Sequence, residues 1–136
     1  MFKSTALTIA LVGSPAHAML PPCEYDNLVR AADTVVQITG ITVEHGQVTT
    51  DCVVTGAVVK VLRGSLEKGD VVTVVVACEW DGMVGGTIYH DRAGLEAAQM
   101  IELHLSDGQV AAYGAGLNIM NPDEKGRITH QWNCDG

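Results

Sequence analysis

The chain has 136 residues and a mass of 14.4 kDa, with 47% hydrophobic and 18% charged residues and a formal net charge of −8. That length suits one domain with its own core and excludes a multidomain machine, and the positive mean hydropathy excludes a disordered chain. The acidic field repels phosphate backbones and anionic headgroups, and no Lys/Arg cluster offsets it, so nucleic acid and membrane surfaces are not expected partners.

In chain order, residues 1–18 read as a secretory signal peptide. Lys3 precedes an apolar run over 6–12, Gly13-Ser14-Pro15 breaks it, and small residues at Ala16 and Ala18 place cleavage after Ala18. The run is far shorter than the roughly 20 residues that span a bilayer. Leu20-Pro21-Pro22-Cys23 lacks the small residues of a lipoprotein signal. The expectation is a single disulfide-stapled β domain over 19–136, periplasmic or secreted, with no membrane insertion after cleavage.

Residues 24–33 read as a short helix with Leu28, Val29 and Ala32 on one side and acidic residues in the first turn. The period then changes to two. Runs at 34–44 and 52–62 are β-branched and alternating, with His45-Gly46-Gln47 marking the turn between them. Gly40 and Gly56 interrupt them at comparable positions, as bulged strands coiled into a small barrel require. A third strand over 71–78, rich in valine and free of charge, is expected to be central, because at an edge it would invite aggregation. A helix over 91–99 turning Leu95 and Ala98 inward, a strand at 101–105, a turn at Ser106-Asp107-Gly108 and a return strand at 109–113 follow. A loop at 121–126 precedes a last strand at 128–132.

Cys23, Cys52, Cys78 and Cys134 form an even set with no C-x-x-C spacing, which favours two disulfides over thiol redox or zinc-ribbon chemistry. If the second strand turns back from Leu62 to Val71, Cys52 and Cys78 fall a few residues short of directly opposite, and a bulge at Gly56 or another loop register would close the gap. The preferred pairing is Cys52 with Cys78 and Cys23 with Cys134.

The stretches AADTVVQITGITV and VVKVLRGSLEKGDVVTVVVAC, with the lysine-glycine loop between their last two strands, resemble the first three strands of netrin-type modules. This group of OB-like barrels includes the tissue inhibitors of metalloproteinases. The resemblance covers about half of 19–136. It implies a five-stranded barrel with a helix packed on it, and a first cysteine bonded beyond the third strand, hence Cys23 with Cys78 and Cys52 with Cys134. Such inhibitors chelate the protease zinc through an N-terminal cysteine. That role would fall on Cys23, but Met19-Leu20-Pro21-Pro22 precede it and remove the free amine.

Few residues carry catalytic signals. Ser65 and Ser106 both sit in turn sequences without a nucleophile elbow, and Gly82-Met83-Val84-Gly85-Gly86 lacks the lysine of a phosphate loop. Glu79 with Asp81 and Asp123-Glu124 read as solvated loop carboxylates. Of the histidines His45, His90, His104 and His130, His104 shares an outward strand face with Glu102. With His130 or His90 these residues are the candidate ligands for zinc or copper, against the plainer reading of a solvated polar face. Trp80 and Trp132 lie near cysteines and are expected to pack on disulfides or meet a partner, and Tyr89 and Tyr113 admit the same two readings.

The sequence thus points to a mainly β fold, a small closed or partly open OB-like barrel of about five strands with one or two short helices. The expected role is that of an exported, non-catalytic module without cofactor that binds another exported protein or a small ligand, through 63–70 and 84–91 by fold analogy. A small metal-binding protein or metalloenzyme using Glu102, His104 and a second histidine is the alternative, and a self-associating envelope component is a third.

Overall fold

The computed structural model describes residues 21–79 and 87–120. The signal segment with Ala18, Trp80, the glycine-rich turn at 82–86, the loop at 121–126, the strand at 128–132, His130, Trp132 and Cys134 lie outside the described residues. The fold is mainly β: a six-stranded antiparallel sheet, partly open and barrel-like, with two helices.

Helix α1 (Pro22–Arg30) starts with proline at its first position, where no N–H is needed, and carries Glu24 in its first turn. It ends three residues before the expected bound. Arg63, from the second strand, accounts for that end, because its guanidinium donates to the Arg30 carbonyl at 2.8 Å and the Ala32 carbonyl at 2.7 Å. Tyr25, Asp26 and Val29 form the buried face, whereas Leu28 points outward and is 41% exposed.

Strand β1 (Thr34–His45) is the spine. It pairs with β2 (Asp51–Arg63) along most of its length and, on its other side, with β4 (Met100–Ser106) from Thr34 to Thr39. Gly40 has φ +65° and stands with Ile41 where only Gly56 lies opposite, which makes a bulge with a left-handed glycine at its first position. The bulge reverses the inward parity. Val36 and Ile38 face the interior before it, and Ile41 and Val43 do so after it. Gly56 is the glycine that the bulge presses against: a Cβ there would lie 2.9 Å from both Ile38 Cδ1 and the Thr39 carbonyl oxygen. The bulge thus belongs to β1 rather than to Gly56, whose pairing with β3 (Val71–Ala77) is unbroken.

Ala57, not Leu62, stands opposite Val71. The last residues of β2 stay on β1, and the connection folds back through Gly69 N–H to Val58 O and Val58 N–H to Asp70 O, each at 2.8 Å. In this register Cys52 is opposite Val76, with Cys78 diagonal to it on the inner face. They form a disulfide with Cα atoms 5.7 Å apart, which corrects the Cys23–Cys78 and Cys52–Cys134 pairing implied by the netrin resemblance. Closing a loop of 26 residues stabilises the fold by roughly 3 to 4 kcal/mol in the chain-entropy account. Cys23 is disulfide-bonded as well.

The strand order β3-β2-β1-β4-β5, with β5 at Gln109–Val110, corrects the expectation that β3 is central: it lies at an end of the path and, among the described residues, pairs with β2 alone. Its alternation sends Val72, Val74 and Val76 into the core and leaves Val71 and Val75 72% and 56% exposed. Helix α2 (Arg92–Ala97), capped by the Asp91 carboxylate accepting from Gly94 N–H, drives Leu95 into the same core. Asp107 and Gly108, both at positive φ, form the two-residue turn from β4 to the short β5 (Gln109–Val110). The return strand stops there, and β6 (Leu117–Met120), absent from the sequence reading, takes the rest of β4's outer edge.

Gly56→Ala is expected to lower stability by about 2 kcal/mol or more, since backbone must yield to the methyl. Gly40→Ala, with open space around it, should cost only the left-handed conformation, about 1 kcal/mol. Urea unfolding of both variants checks the order, and a larger loss at Gly40 would contradict the bulge.

Candidate functional site

Glu102 stands directly opposite Gln37 in the β1–β4 ladder, and His104 follows two residues on, so all three share the face turned away from the barrel interior. That face is not solvated. Gln37 and Glu102 are fully buried and His104 is 1% exposed. Gln37 Nε2 donates to Glu102 Oε1 at 3.1 Å, and Glu102 Oε2 lies 3.0 Å from His104 Nε2. Both carboxylate oxygens and one imidazole nitrogen are therefore committed within the protein. Such a network holds strands in register, because separating any member leaves a buried polar group to be desolvated at about 1 to 3 kcal/mol. Among the described residues no three His, Cys, Asp or Glu side chains gather as a metal site, and His130 lies outside them.

His45 and His90 are placed apart from this network. His45 Nδ1 accepts from Arg92, which also pairs with Glu96 at 2.7 Å. His90 Nε2 lies 2.6 Å from the Gly114 carbonyl, which can only accept, so this nitrogen carries the proton. Its backbone N–H donates to Ala77 O at the end of β3, and Ile88 N–H donates to Tyr113 O. The stretch 88–90 thereby straps the end of β3 to the turn Ala112–Gly114.

That turn is strained. Ala112 and Tyr113 have φ of 57° and 54°, in the left-handed region that costs a side-chain-bearing residue about 1 to 2 kcal/mol. Gly114 follows at +101°, with no room for a Cβ against the Ile88 carbonyl at 2.9 Å. The conformation holds Tyr113 on the surface, 61% exposed. The sequence marks Tyr113 only as an aromatic, and neither its strain nor the burial of Gln37 has a signal beyond alternation.

Tyr113 borders a groove of about 460 Å3 between β3 and the β5 region, within the size range of ligand pockets, about 300 to 1,000 Å3. One wall is the backbone and side chains of 73–77, and the other is Gly108, Gln109, Val110, Tyr113 and Gly114. Asp51 is the single charged residue in its described lining. A second hollow of about 280 Å3 with Leu28 in its wall shares Gln109, Val110 and Tyr113. Of the loops expected to bind, 63–70 is a compact turn closed by Glu67 N–H on the Asp70 carboxylate at 2.8 Å. In 84–91 only residues 87–91 are described, and of these Thr87 reaches the groove. No helix among the described residues is long and apolar enough to cross a membrane. Comparison with known proteins gives no matching family model, curated protein or solved structure.

Burial pushes the His90 pKa below its ordinary 6.5, outweighing the opposite pull of the Gly114 carbonyl. As pH falls through about 6.5 the unfolded chain takes the proton first, so stability drops from there down to the folded pKa and is fully present above 6.5. The Tm of the protein should therefore fall faster below pH 6.5 than that of His90→Gln, whose amide still donates to Gly114 but does not titrate. Parallel melting curves across pH 5–8 check this, and identical slopes would contradict it.

Proposed function

We propose that this chain is an exported, non-catalytic binding module on an OB-like barrel, whose partner is another exported protein. The observation that carries the reading is a division of labour among its groups. The side chains with the most chemistry, Glu102 and His104, are sealed in a structural network, while the open groove offers a strand edge, apolar side chains and an exposed tyrosine held under strain. Aromatic residues of that kind anchor interfaces more often than they catalyse.

The strand order supports the OB-like part of this reading, since β1 bridges β2 and β4 and a helix stands between β3 and β4. The netrin-type resemblance keeps the helix-first order but loses its implied disulfide. Export is supported by the Cys52–Cys78 bond, which persists in oxidising compartments, and by the signal-like segment ending at Ala18. The metal-site alternative would have to break the Gln37–Glu102–His104 hydrogen bonds to free its ligands.

A photo-crosslinking residue placed at Val75 beside the groove, or at Glu67 in the 63–70 loop, is expected to trap an exported protein in the producing cell, on a mature chain beginning at Met19. No crosslinked product at either position contradicts the reading.

A further inference from the structure

Three consecutive residues of positive φ, Ala112, Tyr113 and Gly114, present Tyr113 to solvent. Strain of this kind persists only where the surroundings over-determine the backbone, and it clusters at binding sites and switches. Here both sides of the turn are held. The 88–90 strap holds one, with Ile88 N–H donating to Tyr113 O at 2.9 Å and the His90 imidazole donating to Gly114 O. On the other, Ala112 packs with Tyr25 and Val29 of α1. The backbone that carries the phenol is therefore fixed before any partner arrives, which lowers the ordering cost of binding through it.

The hollow of about 280 Å3 beside Tyr113 has Leu28, Val110 and Ala111 in its wall and no charged side chain in its described lining. Leu28 is 41% exposed there, while Tyr25 and Val29 of the same helix are buried. The hollow is smaller than the roughly 300 to 1,000 Å3 of ligand pockets. That size suits a side chain brought in by a protein better than an enclosed small molecule.

Charge selects the protein. Glu24 lies one helical turn before Leu28 on the same exposed face of α1. Asp107 follows Ser106, a lining residue, and its N–H donates to the Asp33 carboxylate at 3.1 Å. Against these three carboxylates stand Arg30, which is paired with Asp26 at 2.9 Å, and Arg63, which is turned onto the last carbonyls of α1. This end of the molecule is thus apolar in its hollow and acidic around it. A second copy would bring the same acidic field, at a net charge of −8 per chain, whereas a cationic partner is drawn in.

We propose that the hollow between Leu28 and Tyr113 is the contact surface for a partner segment that inserts a large apolar side chain and directs a neighbouring Lys or Arg at the carboxylates of Glu24 and Asp107. This rests on the binding-module reading and names the surface and the partner chemistry that the module uses.

The test selects phage-displayed random linear peptides on the purified full chain, counter-selects them on Tyr113→Ala, and measures the enriched peptides by fluorescence anisotropy. The expected peptides carry a large apolar residue beside a Lys or Arg. They should bind Tyr113→Ala and Leu28→Ser about tenfold or more weakly, yet bind Tyr113→Phe within about threefold of the native chain, because the ring makes the contact. Glu24→Gln with Asp107→Asn, the latter suited to the positive φ of 53°, should weaken binding and flatten its dependence on salt. All these positions are exposed, and an unchanged Tm checks that each variant folds. The proposal is overturned if no peptide is enriched over Tyr113→Ala, if the enriched peptides lack a basic residue, or if Leu28→Ser binds them as the native chain does. A dimer in sedimentation that Leu28→Ser dissolves would overturn it in favour of a second copy. Photo-crosslinks from Val75 or Glu67 that persist undiminished in Tyr113→Ala would overturn this surface while leaving the module reading intact.

Discussion

Everything else in this fold depends on one strand bending without losing its inward face. β1 has to pair with β2 on one side and with β4 on the other, and a straight strand of its length would carry the sheet away from a common core. The Gly40–Ile41 bulge supplies the bend and reverses the side-chain alternation, so that Ile38 and Ile41 both remain inside. Close packing of the bulge against Gly56 is what makes the bend definite. From that coil follow the return of β3 toward β5, the position of the Cys52–Cys78 bond, and the groove left where the two edges approach without pairing.

The same geometry separates structural chemistry from accessible chemistry. One face of the β1–β4 ladder turns into the barrel and is apolar. Its other face carries Gln37, Glu102 and His104, which satisfy one another out of contact with water. A buried ionisable pair contributes little net stability against a well-packed apolar substitute, and its better attested use is to fix register. Here it sits where β4 meets β1, the junction that joins the two halves of the sheet. At the seam of the barrel, strain rather than charge is stored, in Ala112 and Tyr113, with 88–90 holding that turn to the end of β3.

Much of this was legible in the sequence, and the omissions have physical causes. Alternation and β-branching located β1 to β4 closely, and the Asp107-Gly108 turn was readable because few dipeptides accept two positive φ angles. Gly40 and Gly56 signalled coiling, but composition does not say which of two facing glycines is bulged and which is merely crowded. The valine run of β3 suggests a central strand because a charge-free apolar strand at an edge invites aggregation. In fact only its even-numbered residues are buried, and the sheet order, a long-range property, puts it at an end of the path among the described residues. Alternation puts Glu102 and His104 on the face turned away from the barrel interior, yet their burial is a tertiary property, and Glu102's partner Gln37 stands one strand away and 65 residues distant in sequence. The strain at Tyr113 is imposed by tertiary contacts with 88–90 and leaves no local mark.

Amide hydrogen exchange across β3, followed residue by residue in the monomeric protein, tests the central claim that this strand ends the sheet beside an open groove. The account predicts alternating protection from Val71 to Ala77, slow where the N–H faces β2 and fast where it faces the groove. Uniformly slow exchange along the strand would show both of its edges to be paired and would contradict it.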